Sequence, residues 1–344
     1  YSVPEKINIL QNSNINFNYI WFELMDLPTQ EFESWNNKLL ICLNKSTHIS
    51  TTNIYITKYL NKLTKKYIFT SKNGCDVIKI MNQTENKKYY LEGNKIKLCF
   101  YGNLESWIDW KAIYYLSTLS NVIITLIGKT EKNIVNIPDY IVNNENIILC
   151  EYMDYKNLFN FVKDQDIFLY TFKINDMTNC VDPLKIWEYL SISKPVICSN
   201  TKYISDIVSN NSVLSEFIYV YNNINELDIK KLLHICNKKY SEDIYNSLQT
   251  YLISNRYWKN ISLNLYNTLF KEKTLIKESK KILKIAIIGY IGFGNFGDDL
   301  FKFIYEKNFP NCKFDILFKP EFPFFDKNEF RKNISNYDAI LLAG

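Results

Sequence analysis

Between Lys95 and Val208 the sequence repeats one pattern, a short run apolar at nearly every position followed by a stretch with helical spacing. Ile96–Tyr101 leads to Gly102 and then to a helix over Trp110–Leu119. Val122–Ile127 ends at Gly128. Ile147–Cys150 precedes a helix over Tyr155–Val162, and Ile167–Phe172 precedes one over Leu184–Leu190. Pro195–Cys198 then feeds a helix near Tyr203–Val208. A strand that is apolar throughout must be buried on both faces, and the helix after each strand supplies the cover. The pattern therefore predicts an α/β protein with a parallel, doubly wound sheet.

The flanks carry weaker versions of the same signal. Tyr19–Phe22, Leu39–Cys42, His48–Ile49 and Tyr67–Phe69 read as strands, with a helix near Asn53–Leu63 and a turn over Lys72–Asp76. Residues 77–94 read as a polar linker. Ser241–Phe270 reads as helical, Lys271–Lys281 as a charged linker, and Ile282–Ile288 as the strand that opens a third unit. A chain of 344 residues, 47% hydrophobic and 22% charged, has material for two or three such units. It begins at Tyr1 and ends just after the apolar run Ala339–Ala343, so it reads as a fragment of a longer protein.

The net charge of +5 suits a phosphate-bearing ligand or a lipid headgroup surface and does not point to nucleic acid. Eight cysteines with no C-x-x-C pair, beside two histidines, argue against a zinc site and for reduced thiols in a cytoplasmic protein. Cys99, Cys150 and Cys198 sit in or beside apolar runs and read as small core residues. No apolar run approaches the roughly 18 residues of a membrane span.

The most informative segment is Asn179-Cys-Val-Asp182-Pro-Leu-Lys185-Ile-Trp187-Glu188-Tyr-Leu190. Asp182 suits a helix cap and Pro183 the first helical position. Lys185 and Glu188, three apart, share a face, while Leu184, Trp187 and Leu190 form another that can pack on the sheet. A helix N-terminus with a lysine favours phosphate, and a glutamate one turn on can accept from ribose hydroxyls. An ordinary surface Lys–Glu pair would produce the same spacing.

From about Lys97 to Ser199 the sequence resembles the C-terminal domain of GT-B glycosyltransferases, close to the GT4 type acting on bacterial surface polysaccharides. Phe100–Trp110 resembles the first strand and glycine loop, and Leu126-Ile-Gly128 the end of the second strand. Glu151–Tyr155 resembles the segment flanking the base, and Asp182–Leu190 the donor-binding helix. Asn73-Gly-Cys-Asp76 resembles the turn that closes the N-terminal domain, and Arg256-Tyr-Trp258 the helix that crosses back to it. The resemblance implies two Rossmann-like domains: the C-terminal part of the acceptor-side domain over 1–92, and the nucleotide-sugar domain over 93–270. It implies metal-independent transfer of a sugar from a nucleotide-diphosphate donor to a glycan or lipid-linked acceptor, with no tightly bound cofactor. The expected location is cytoplasmic, either free or at the inner face of the membrane.

By the same resemblance Lys185 contacts the diphosphate, Glu188 the ribose, Gly102 and Asn103 the phosphates through their N–H groups, and Tyr155 the base. Asp182 completes the nucleotide-sugar set. Many relatives carry a second glutamate eight residues before the ribose glutamate, and Cys180 stands there instead. The acceptor-side base is expected outside the fragment, and His48 and His234 read as structural.

Near the end, Gly289-Tyr-Ile-Gly292-Phe-Gly294-Asn295-Phe-Gly297-Asp298-Asp299 follows a strand. Gly292, Gly294 and Gly297 spell the G-x-G-x-x-G of dinucleotide sites, which would make this part an NAD(P)-dependent oxidoreductase. The acidic ribose contact that such a site needs about 20 residues on fits poorly at Asp315. Gly294, Asn295, Gly297 and Asp298 more closely resemble the opening of polysaccharide pyruvyl transferases, with Tyr337–Gly344 as a later strand. That resemblance implies a second domain, starting in 282–344, that uses phosphoenolpyruvate. A non-catalytic nucleotide-sugar-binding module is the remaining alternative.

Overall fold

The computed structural model of the chain describes residues 4, 20–84, 95–128, 137–270, 283–288, 312–316 and 339–342. Two compact units divide it, one of residues 73–257 and one of residues 1–72 with 258–344.

In the latter, β1 (Trp21–Leu24), β2 (His48–Thr51) and β3 (Ile68–Thr70) form a parallel sheet in that order, with α1 (Asn36–Lys45) and α2 (Ile54–Leu60) between the strands. The Asn53 side chain accepts from the Tyr55 and Ile56 N–H groups and so starts α2. At the other end of α1 the Lys66 ammonium donates to the carbonyls of Leu43, Asn44 and Ser46, each at 2.7 Å, which places a cation on a helix C-terminus. The strand expected at Leu39–Cys42 is part of α1 instead. Leu39, Cys42 and Leu43 are buried while Leu40 is 55% exposed, which is the three–four spacing of a helix face.

The 73–257 unit contains α3 (Val77–Thr84), β4 (Ile96–Tyr101), α4 (Trp110–Ser117), β5 (Val122–Ile127), α5 (Asp139–Val142), β6 (Ile147–Cys150), α6 (Tyr155–Val162) and β7 (Ile167–Tyr170). After these come α7 (Leu184–Ser191), β8 (Val196–Ser199), α8 (Lys202–Ser209), α9 (Ser212–Phe217), β9 (Ile218–Tyr221), α10 (Ile229–Asn237) and α11 (Glu242–Arg256). Its six strands are all parallel, in the order β6-β5-β4-β7-β8-β9. In β4, Leu98 and Phe100 join a core with Ile113, Leu116 and Leu232, while Tyr101 meets Phe159 and Tyr189. Both faces are thus covered, as continuous apolar strands require. Cys99 and Cys198 are buried and Cys150 is half-buried; all three are free thiols.

Residues 77–84, expected as linker, form α3, which buries Val77 and Ile80. The helical stretch expected over Ser241–Phe270 breaks at Tyr257 into α11 and α12 (Trp258–Phe270). Strand β9 has no counterpart in the sequence reading. Farther on, β10 (Leu283–Ile288), β11 (Cys312–Ile316) and β12 (Ala339–Leu342) are parallel in the order β11-β10-β12. Asp315 lies within β11 opposite Ala286. Gly294, Asn295, Gly297 and Asp298 lie outside the described residues, as do 271–281.

One buried charge gives the fold a pH dependence. Lys194, just before β8, is 6% exposed, and burial pulls its ammonium down to about 8 against the opposing pull of Asp166. Between that value and its ordinary 10.5 the unfolded chain binds more protons, so this lysine's contribution to stability rises with pH across the window. Lys194→Met should therefore be more stable than the wild type near pH 7, with the gap closing between pH 8 and 10.5. Urea unfolding of both proteins along that pH series checks it; a gap independent of pH would refute the assignment.

Candidate functional site

The chain runs from β4 outward through β5 and β6, then returns to β7 on the other side of β4. In an open parallel sheet that reversal leaves a crevice at the C-terminal ends of the two strands. Gly102 follows β4 directly, with φ +146°, a conformation that side-chain-bearing residues rarely adopt. Its N–H donates to the Ile127 carbonyl at 2.9 Å. A Cβ on Gly102 would lie 3.5 Å from Lys185 Cε, so the glycine loop and the first turn of α7 are neighbours. Asn103 follows and is exposed.

Gly128, directly after β5, abuts this loop. A Cβ there would stand 2.1 Å from the Gly102 carbonyl oxygen, so the two turns touch only because Gly128 has no side chain. Gly128→Ala must push the Gly102 turn aside. A loss of about 1–3 kcal/mol in unfolding free energy is expected, measurable by denaturant titration; an unchanged midpoint would contradict this contact.

Helix α7 starts at Leu184 with Pro183 in the cap position, and no side chain caps its first N–H groups. Asp182 therefore is not the helix cap expected from its position. Within α7, Lys185 Nζ lies 3.1 Å from Glu188 Oε2. The lysine side chain is 26% exposed and the glutamate only 1%. The other oxygen, Glu188 Oε1, is buried and has no hydrogen-bond partner among the described residues. Leaving a carboxylate oxygen buried and unmet is costly, which marks the spot. The helix is also more buried than its expected two-faced pattern, with Ile186 to Ser191 all inside.

Aromatic rings form the floor. Lys185 Nζ sits 5.0 Å from the centroid of the Tyr101 ring, which meets Tyr189 edge-on at 4.9 Å. The Tyr189 hydroxyl donates to the Tyr101 carbonyl at 3.3 Å and stacks its own ring on Phe168 at 4.4 Å. Tyr155 opens α6, where Asp154 accepts from the Asn157 N–H. Its ring meets Phe159 edge-on at 4.3 Å and has Lys79 Nζ 5.0 Å from its centroid. Burial pushes the Tyr155 phenol well up, and the Glu188 charge adds to the rise, so the two are electrostatic neighbours.

No protein-family model matches the sequence, and no curated protein matches it. Solved structures do. A trehalose-6-phosphate synthase, from work on glycosyl transfer with retention, superposes with a TM-score of 0.57 at 14% identity, covering 78% of this chain and 71% of its own. Anabaena HepE in complex with UDP-glucose gives 0.55 at 13% identity over 74% of this chain and 72% of its own. The lipopolysaccharide outer core galactosyltransferase WaaB gives 0.50 at 12% identity over 74% and 67%. The chain has the GT-B fold.

Within this GT-B chain the Asp182 carboxylate is committed elsewhere. Its Oδ2 accepts from Arg256 Nη1 at 2.7 Å and from the Asn73 N–H at 3.0 Å, and its Oδ1 accepts from the Trp187 indole at 3.0 Å. Sequence reasoning noted Arg256 and Asn73 only as parts of motifs and did not join them to Asp182. Burial alone would weaken the Arg256 cation, but Asp182 overrides it and holds the guanidinium charged. Cys180 closes a short 3-10 turn over Thr178–Cys180, and burial pushes its thiol up to about 11, so it is a neutral thiol at pH 7. His234 is exposed on α10, and His48 opens β2 with its Nδ1 2.9 Å from Thr47 Oγ1. No described helix is long and apolar enough to cross a membrane.

Proposed function

We propose that the 73–257 unit binds a nucleotide-diphosphate sugar and that the chain is a glycosyltransferase. The observation that carries this reading is Glu188 Oε1, a buried carboxylate oxygen with no hydrogen-bond partner among the described residues, one turn beyond a helix start that bears Lys185 and no side-chain cap. The α7 N–H groups and Lys185 suit a diphosphate, with Asn103 offering its backbone N–H from across the crevice, while Gly102, whose own N–H is spent on the Ile127 carbonyl, lets the ligand come close because it has no side chain. Glu188 takes the ribose hydroxyls and Tyr155 borders the base. Asp182 belongs to the site through the residues it holds. The UDP-glucose in HepE supports the donor class.

In this reading the acceptor hydroxyl attacks the anomeric carbon as the bond to the donor diphosphate breaks, and the hydroxyl proton passes to a base, for which the departing diphosphate oxygen is available. Negative charge grows on the departing diphosphate, where Lys185 and the α7 terminus stabilise it. The resemblance to GT4-type enzymes supports a glycan or lipid-linked acceptor and a place in surface polysaccharide synthesis. It also favours the cytoplasm or the inner face of the membrane. For 282–344 we retain pyruvyl transfer from phosphoenolpyruvate, supported by Gly294, Asn295, Gly297 and Asp298.

Thermal unfolding of the full chain with UDP, GDP, CDP and ADP tests the donor site. A ligand at about 100 times its dissociation constant stabilises by roughly 2.7 kcal/mol. One of the four should raise the midpoint, and no rise with any of them would sink the reading.

A further inference from the structure

Asp182, Arg256 and Asn73 close a buried cluster inside the 73–257 unit. Asp182 and Arg256 are each 1% exposed. Beyond its bond to Asp182, Arg256 Nη1 donates to the Asn73 carbonyl at 2.9 Å, and Nη2 donates to the Tyr203 hydroxyl at 3.0 Å. The guanidinium lies 3.6 Å from the centroid of the Trp187 ring, whose N–H is already on Asp182. The Asn73 side chain returns a bond to the Asp182 carbonyl at 2.7 Å. The Cys75 N–H donates to the Arg256 carbonyl at 2.8 Å, and Cys75 and Tyr257 form a parallel bridge.

A buried ion pair gains little net stability over apolar side chains of the same volume, so its best-attested use is to fix one arrangement among several. Here the arrangement joins three places. The chain enters the unit at Asn73 and leaves it at Tyr257. Asp182 stands two residues before α7, and Trp187 lies inside that helix next to Glu188. The cluster therefore grips α7 at its start and on its first turn, and ties both grips to the entry and exit of the chain. The geometry points to Asp182 and Arg256 as positioning residues that set the rotation of α7, and hence of Lys185 and Glu188, and couple it to both chain crossings. This rests on reading α7 as the donor helix. Neither residue touches the donor.

The coupling is reciprocal, so a ligand on α7 must be felt at the crossings. The experiment uses the full chain with UDP as probe and combines titration calorimetry with amide hydrogen exchange. Trp187→Phe keeps a ring beneath Arg256 and deletes the donor to Asp182, Tyr203→Phe deletes one acceptor, and Arg256→Lys keeps the charge and loses the planar fork. In the wild type UDP should slow exchange of the Cys75 amide. In Trp187→Phe and Arg256→Lys that protection should vanish and UDP affinity should fall about five-fold or more, while Tyr203→Phe lies between them and the wild type. Trp187→Phe serves as the readout if Arg256→Lys does not fold. Folded variants that bind UDP like the wild type, or a Cys75 amide indifferent to UDP, would overturn the inference alone, provided Glu188→Ala still loses UDP. A wild-type chain that binds no nucleoside diphosphate would overturn the donor-site reading and the inference together.

Discussion

Arg256→Met should lower the unfolding free energy by about 3–5 kcal/mol, the usual cost of leaving one buried charge unpaired. The size follows from what remains. The Asp182 carboxylate stays among buried groups with neutral donors such as the Asn73 and Trp187 N–H groups but without its guanidinium, and the Tyr203 hydroxyl and Asn73 carbonyl lose the donor Arg256 gave them. Methionine fills much of the volume and keeps contact with the Trp187 face, so packing contributes little to the loss. Adding Asp182→Asn to Arg256→Met removes the stranded charge and should recover part of the deficit. The two substitutions are thus non-additive, as expected for groups in one network. Urea unfolding of the wild type, both single variants and the double variant gives the coupling directly. A loss under about 1 kcal/mol for Arg256→Met would place the pair with weak surface bridges and contradict its burial.

The central strands were legible because β4, β5 and β7 are apolar at nearly every position and can only be interior strands of a parallel sheet. Elsewhere the same rule misled. Leu39–Cys42 is four apolar residues long, a length at which strand and helix look alike. The deciding signals were the further Leu43 in step with Leu39 and the lack of β-branching at three of the four positions. Residues 77–84 were hidden by the polar run that starts at Asn82 and continues past them, although Val77 and Ile80 are three apart and both end up buried. At the candidate site the pairing of Lys185 with Glu188 follows from helical spacing. The depth of Glu188 does not, because it depends on the neighbouring loops and helices. Besides its place in the Arg256-Tyr-Trp258 motif, Arg256 left a second trace: it is one of two arginines in a chain with 41 lysines and arginines. A chain that otherwise uses lysine reserves arginine where a planar fork must meet several acceptors at once.

Glu188→Ala should weaken nucleoside diphosphate binding by about 10- to 100-fold, the equivalent of about 1.5–3 kcal/mol for hydrogen bonds to a charged group. Loss of affinity alone would not identify the ribose, since the same change also removes the Lys185–Glu188 ion pair. The ligand supplies the second arm of a cycle. Against the wild type, a 2′,3′-dideoxy analogue of the bound nucleotide lacks the hydroxyls that Glu188 Oε1 would receive, and it should bind about as poorly as the normal nucleotide binds Glu188→Ala. Against Glu188→Ala the two ligands should bind alike, because the oxygen that tells them apart is gone. Glu188→Gln separates charge from geometry. It keeps an acceptor at the same depth but removes the anion beside Lys185, so it should retain part of the discrimination while losing affinity. If instead the dideoxy analogue bound both proteins equally well, the unpartnered oxygen would face something other than ribose. The buried carboxylate would then serve to hold Lys185 over the Tyr101 ring, and the helix would recognise a diphosphate without reading the sugar attached to it.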